Sequence, residues 1–156
     1  MRSKSSSQKG ASLVEFALVL PLLMLILWGM IEFGLLLYNK QVITNASREG
    51  ARAGIVAQNP RVTSGAIAGV VTSYCGSYLV TFGGTGLSVT SSAAGTSFGQ
   101  PLTVTVTYPY QFLVFQNIAN TFFGGSFGTI NLTAVTVMRY EYAGEDEGGC
   151  HEEQRG

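Results

Sequence analysis

The feature that most constrains this chain is an apolar run near its N-terminus. Between residues 16 and 38 the only charged side chain is Glu32. A helix of that length reaches about 34 Å, which is enough to cross the ~30 Å hydrocarbon core of a bilayer. The run is too long for a cleavable secretory signal, whose apolar region has about 7 to 15 residues. The sequence therefore predicts a single transmembrane helix over about residues 16–38, with the lipid bilayer as a partner.

The charges elsewhere argue against an enzyme. Residues 62–138 contain no Asp, Glu, Lys or Arg, and the sole histidine is His151. Most acid–base and metal-assisted mechanisms need positioned carboxylates, histidines or lysines. Cys150 and His151 are too few for a metal site, which needs three or four ligands. We therefore expect no catalysis, no cofactor, no metal and no small-molecule substrate.

The overall charge also argues against a nucleic-acid partner. Nine basic residues balance nine acidic residues, and only 12% of the chain is charged. Nonspecific nucleic-acid binding needs a basic field that this composition does not supply. Three cations lie in residues 1–10 and three more in residues 40–52, so positive charge alone does not orient the transmembrane helix.

Two acids interrupt the apolar segment and need a reason to be there. A carboxylate at bilayer depth costs on the order of 2.5 to 3.5 kcal/mol on insertion scales. Glu15 follows Ser12 in a capping-box pattern, which offers a local explanation at a helix start. Glu32 lies roughly 25 Å further along a helix, where it is either an interfacial acid or a contact with another subunit.

A resemblance emerges from the order of these motifs. The segment GASLVEF, residues 10–16, resembles the cleavage site of class III signal sequences in type IV pilins and pseudopilins. Over about residues 9–54 the chain resembles the TadE-like family of pseudopilins, which belong to the tight-adherence (Tad, or Flp) pilus machinery. Three blocks in order carry the resemblance: VEFALVLP at 14–21, GMIEFG at 29–34 and TNASREGAR at 44–52.

The resemblance implies a role for several of these residues. Prepilin peptidase would cut between Gly10 and Ala11, removing residues 1–10 as a leader. Glu15 would then neutralise the new amine of a neighbouring subunit, and Phe16 and Glu32 would join it in subunit assembly. The implied partners are prepilin peptidase, other pilins or pseudopilins and the assembly platform. The implied place is the bacterial inner membrane, crossed once, with the N-terminus cytoplasmic and the C-terminal domain outside.

The helix is expected to continue beyond the membrane, over residues 11–58, until Asn59-Pro60 ends it. Ala46, Gly50 and Gly54 recur every four residues and so share one face of this helix. Small residues let another helix approach closely. The approaching helix belongs either to another pseudopilin or to the globular domain of the same chain.

Residues 62–142 predict a small external α+β domain. A short amphipathic helix is expected over residues 62–74, since apolar residues recur there every four positions. Runs rich in Val, Thr and Tyr, with alternation at period two, predict the strands of an antiparallel sheet. The predicted strands cover residues 79–82, 87–90, 102–110 and 129–142. The fold class is therefore α+β, a long N-terminal transmembrane helix followed by a small sheet, as in pilins.

Two further features of the external part stay open. Residues 111–123 read as a short apolar helix or a membrane-proximal loop, and their apolar side chains either join the core or lie against lipid headgroups or a partner. Those side chains are Phe112, Leu113, Val114, Phe115, Phe122 and Phe123. Cys75 and Cys150 form a possible disulfide outside the cytoplasm, where it would add roughly 4 kcal/mol. The acidic, Gly-rich tail at residues 143–156 is expected to be flexible.

These observations support two functional hypotheses from different classes. The first is a structural pseudopilin of a tight-adherence pilus system. The second is a single-pass membrane-anchored binding or adhesion module, whose helix serves only as an anchor. An anchor needs neither Glu15 nor a cut after Gly10, so these two positions separate the hypotheses.

Overall fold

The computed structural model describes residues 5–58, 60–81, 86–93, 97–114, 117, 120–121, 124 and 129–141. Among these residues two helices precede three strands, and Asn117, Asn120 and Thr121, between the last two strands, are also helical. The helices are α1 (Ser5–Ile55) and α2 (Ser64–Tyr78), and the strands are β1 (Ser88–Ala93), β2 (Pro101–Tyr110) and β3 (Ile130–Arg139). The α+β class expected from the sequence, a long apolar helix followed by a small antiparallel sheet, is confirmed.

The sheet has the order β1-β2-β3, and both strand pairs are antiparallel. Side chains alternate between its two faces because successive residues of a strand point in opposite directions. The central strand β2 accordingly alternates half-buried and buried positions along its whole length. Its buried side is formed by Leu102, Val104, Val106, Tyr108 and Tyr110. Helix α1 packs against α2, β2 and β3, while α2 also contacts β1, so the two helices form the core with this side of the sheet.

Helix α1 has two halves with different surroundings. Residues 10–31 are exposed, apart from the half-buried Gly29. From Glu32 onward buried positions recur at helical spacing, at Asn39, Ile43, Ala46 and Gly50. A helix with apolar residues on one stripe packs against a domain, whereas an apolar helix exposed all round requires another apolar environment. The second half therefore belongs to the folded domain and the first half projects from it.

The end of α1 is joined to the end of β3. The helix ends at Ile55, before the predicted end at residue 58, and the Glu141 N–H donates to the Ile55 carbonyl oxygen at 3.2 Å. Arg61 lies over the Tyr140 ring, 4.7 Å from its centroid, and donates to the Glu141 carbonyl oxygen at 3.4 Å. A carbonyl left unpaired at the end of a helix needs such a partner. The chain after β3 supplies it, and this contact is long-range in sequence.

The strand predicted over residues 79–82 is wrong for residues 79–81, which lie in no strand, while Phe82 falls outside the described residues. The Val80 backbone instead pairs with the side chain of Asn39 on α1. The Asn39 Nδ2 donates to the Val80 carbonyl oxygen at 2.8 Å, and the Val80 N–H donates to Asn39 Oδ1 at 3.1 Å. An amide side chain offers one donor and one acceptor, as a neighbouring strand does. Asn39 thus supplies the hydrogen bonds that the Val80 backbone was expected to make with a neighbouring strand.

Helix α2 begins later and ends later than residues 62–74, the predicted range. Thr63 caps its N-terminus, because the Thr63 side chain accepts a hydrogen bond from the Ala66 N–H at 3.2 Å. Ile67, Val71 and Cys75 recur every four residues and are buried. The predicted period is therefore present, but it continues for a further turn.

Candidate functional site

The first candidate site is the exposed half of α1. Gly10, Ala11 and Glu15 are exposed, and Phe16 is 62% exposed. A side chain added at Gly10 would meet nothing within 4 Å. The structure therefore leaves the predicted cleavage position and the predicted assembly acid on an open helix surface.

This exposed half is also a candidate membrane span. It lies within the one helix in the described part of the chain that is long and apolar enough to cross a bilayer. Residues 10–31 would extend about 33 Å as a helix, which matches a hydrocarbon core of ~30 Å. The chain is thus consistent with a single-pass membrane protein.

The local explanation for Glu15 does not fit the uncut chain. Helix α1 begins at Ser5, so Ser12 lies inside the helix rather than at its start. A capping box forms where the first backbone N–H groups lack helical partners. Glu15 is therefore a carboxylate on the side of a continuous apolar helix, and its presence there needs another reason.

The second candidate site is the border between the two halves of α1, at Glu32. Only 4% of the Glu32 surface is exposed. Its carboxylate Oε1 accepts a hydrogen bond from the Val114 N–H, which lies in the connection between β2 and β3. The Tyr110 hydroxyl donates to the Glu32 backbone carbonyl oxygen at 3.3 Å. Glu32 thus has partners within its own chain, an arrangement that neither sequence interpretation of this acid had included.

The environment of Tyr110 keeps its hydroxyl protonated. Burial raises the Tyr110 pKa, and the neighbouring Glu32 and Tyr108 raise it further. A protonated hydroxyl is a donor at neutral pH, as its bond to Glu32 requires. Phe112 packs edge-on against the Tyr110 ring, with 5.4 Å between ring centroids. The border therefore combines a buried carboxylate, bound to the Val114 N–H, with a pair of packed aromatic rings.

The third candidate site is the face formed by Ala46, Gly50 and Gly54. Ala46 is fully buried, and a Cβ atom added at Gly50 would lie 2.4 Å from Val71 Cγ2 of α2. A Cβ at Gly54 would lie 2.5 Å from Leu102 Cδ2 of β2. The structure therefore places this face against α2 and β2 of the same chain, which is the second of the two alternatives left open by the sequence.

Three polar residues on α1 were missed by sequence reasoning. Besides Asn39, Lys40 Nζ donates to the Thr133 carbonyl oxygen of β3, and Ser47 Oγ lies 2.7 Å from Thr136 Oγ1 of β3. Asn39 and Ser47 are fully buried. They lie eight positions apart and so share a face of α1, which was the one signal that could have revealed them. Lys40 and Ser47 join α1 to β3, and Asn39 joins it to the segment after α2, by hydrogen bonds that an apolar side chain could not make.

The remaining predicted residues are only partly described. Phe112 is partly buried against the core, whereas Leu113 is 47% exposed and so is not core. Phe115, Phe122 and Phe123 lie outside the residues whose side chains are described. Cys75 is buried, and burial raises the pKa of its thiol. Cys150 and the tail lie outside the described residues, so their pairing and flexibility stay predictions. Within the described ranges no three metal-ligating side chains come together.

The fold and these sites define a class: an α+β protein whose long N-terminal helix is half embedded in a small domain and half exposed as a candidate membrane span. The family model for TadE-like proteins matches residues 10–52, which confirms the resemblance inferred from the motifs. No curated protein and no solved structure gives a significant match. The match and the apolar helix fit a component of a tight-adherence pilus system, and the family is one of structural pilus components rather than enzymes.

Proposed function

We propose that this protein is a minor pseudopilin of a tight-adherence pilus system. In this proposal it is made as a precursor, inserted once into the bacterial inner membrane and cut by prepilin peptidase between Gly10 and Ala11. It then takes part in pilus assembly as a structural subunit. It acts on no substrate of its own.

The observation that carries the proposal is the exposed acid on the apolar half of α1. Glu15 lies on a continuous helix within the segment that matches TadE-like proteins. A carboxylate in an apolar bundle and a free amine in the same bundle each cost less free energy when paired than alone. Cleavage after Gly10 would create such an amine on Ala11, close to the Glu15 position of an adjacent subunit.

Gly10 suits a processing site for a local reason. Glycine in a helix is about 1 kcal/mol less favourable than alanine, so α1 is weakened where the cut would fall. Its exposed backbone has no side chain of the folded domain close by. We propose that the helix opens there for the peptidase and closes again from Ala11 onward.

The packing of α1 refines the proposed membrane span. Leu35 and Leu36 pack on the folded domain, although the sequence placed residues 16–38 in the bilayer. We propose that the span covers about residues 10–31 and that Glu32 lies at the outer surface of the membrane. The N-terminus would then be cytoplasmic, and the domain after residue 32 would be external.

A chimera tests whether α1 is more than an anchor. Residues 11–31 are replaced by an unrelated leucine-rich transmembrane helix of equal length, and residues 32–156 are kept. We expect the chimera to insert in the membrane but to restore no pili in a strain lacking the native protein, because it has no Glu15. Surface pili are counted by electron microscopy, and insertion is checked by membrane fractionation.

The control is the native chain expressed at the same level, which should restore pili. A chimera that restores pili as well as the native chain would contradict the proposal. That outcome would favour a membrane-anchored binding or adhesion module, in which only the external domain matters.

A further inference from the structure

The described residues just after β2 reach the exposed half of α1 at Val114. Their anchor is the hydrogen bond from the Val114 N–H to the Glu32 carboxylate. Val114 also lines a cleft on α1 whose other walls are Leu18, Pro21, Leu22, Met24, Leu25 and Trp28. Those six residues all precede Glu32 and lie on the part of α1 that no other described element covers. Among the described residues that follow β2, Val114 therefore lies against the candidate membrane span.

Residues 112–114 of the connection between β2 and β3 are apolar and uncharged. Leu113 is 47% exposed, and Phe112 and Val114 are partly buried. The nearest charged residues in sequence are Arg61 and Arg139, since residues 62–138 contain none. No charged residue near Leu113 in sequence would therefore have to leave water if this side chain moved into a lipid surface.

We propose that residues 112–114 enter the headgroup region of the same bilayer leaflet from which α1 emerges, as a second membrane contact. The surface of Val114, next to Leu113 in the chain, is continuous with the exposed apolar surface of α1 through the cleft beside Trp28. The partner that this continuity indicates is a lipid surface, because insertion of α1 in a bilayer would bring residues 112–114 next to the lipid. The inference rests on membrane insertion of α1 but not on the pilus role.

Glu32 is the positioning residue for this contact. A carboxylate at the membrane border is costly unless it is paired, and here it holds the backbone of the segment that would touch lipid. With α1 as its one membrane contact, the external domain could tilt and could rotate about the helix axis. A second contact, at residues 112–114, would restrict both motions relative to the membrane. Glu32 would thereby set the orientation in which the domain is presented to neighbouring subunits.

The depth of residues 112–114 in the bilayer can be measured by tryptophan fluorescence, because Trp28 is the sole tryptophan of the chain. In a Trp28→Phe background, single tryptophans are introduced as Leu113→Trp, Leu22→Trp and Val135→Trp in the full chain. Leu22 lies in the candidate span, and Val135 is 59% exposed on β3. Each variant is placed in phosphatidylcholine vesicles whose acyl chains are brominated either near the headgroup or near the bilayer centre.

We expect the tryptophan at position 113 to be quenched severalfold more by lipid brominated near the headgroup than by lipid brominated near the centre. The tryptophan at position 22, near the middle of the proposed span, should be quenched more by lipid brominated near the centre, and the one at position 135 by neither lipid. Since all three variants carry the same indole, the preference of tryptophan for interfaces cannot by itself separate positions 113 and 135. Adding Glu32→Ala should lower the quenching at position 113, whereas Glu32→Gln, which keeps an acceptor oxygen, should retain it.

Quenching at position 113 no greater than at position 135, with position 22 quenched, would overturn this proposal and leave the pseudopilin proposal standing. If the tryptophan at position 113 is shielded from water only when other pilus proteins are added, the lipid contact is overturned in favour of a protein partner. Absence of quenching at position 22 would overturn the membrane span itself and this inference with it. If Glu32→Ala fails to fold, as judged by circular dichroism, the quenching at position 113 in the chain with intact Glu32 still tests the lipid contact.

Discussion

Replacing Glu15 with leucine is expected to abolish pilus assembly while leaving the protein in the membrane. Leucine is more favourable than a carboxylate in hydrocarbon, by about 3 kcal/mol or more at the centre of a bilayer, so insertion should not suffer. What disappears is the partner for the amine that processing exposes on Ala11. An unpaired amine in an apolar bundle would oppose the packing of one subunit beside another.

The measurement is the amount of sheared surface pili in a strain whose only copy of the protein carries Glu15→Leu. Two matched variants sharpen it. Glu15→Asp keeps the charge and should retain part of the assembly, and Leu18→Ala changes another exposed position of α1 without touching a charge. Normal piliation by the Glu15→Leu strain would show that the acid has no role in assembly.

Replacing Gly50 with alanine is expected to destabilise the external domain. The new Cβ would lie 2.4 Å from Val71 Cγ2, and Val71 is fully buried. A valine in a helix has one strongly preferred rotamer, so it cannot turn aside at little cost. Overpacking of this kind typically costs about 1 to 3 kcal/mol, against which alanine regains at most about 1 kcal/mol of helix propensity.

Gly69 provides the matched control, because it lies within α2 and an added Cβ there would meet nothing within 4 Å. Gly69→Ala gains the same helix propensity without the clash and should be neutral or stabilising. Thermal unfolding of both full-length variants in detergent, followed by circular dichroism, gives the comparison. Gly50→Ala unfolding at or above the midpoint of Gly69→Ala would contradict the close approach of α1 to α2.

The parts of the fold that follow from local pattern were predictable. The apolar run and the four-residue recurrence of small residues indicated one long helix, and the alternation in residues 102–110 matches β2 almost residue for residue. Each of these signals arises from residues close together in sequence. The end of α1 at Ile55 was less predictable, because its closing hydrogen bond comes from Glu141.

The parts that depend on distant partners were not predictable from pattern. Residues 79–81 have a strand-like composition, but the donor and acceptor that their backbone needs are on Asn39, 41 positions from Val80. Likewise, the cost of Glu32 in an apolar segment was evident, whereas its partner Val114 lies 82 positions away. Periodicity shows that a polar residue needs a partner, but the tertiary fold alone selects which one.

The measurement that tests the central claim most directly is the intact mass of the protein, expressed in membranes with and without a cognate prepilin peptidase. A pseudopilin should lose residues 1–10 only when the peptidase is present, so that Ala11 becomes the new N-terminus. A chain that keeps residues 1–10 in both samples, beside another pilin that the same peptidase cuts, would contradict the account and leave α1 as an ordinary membrane anchor.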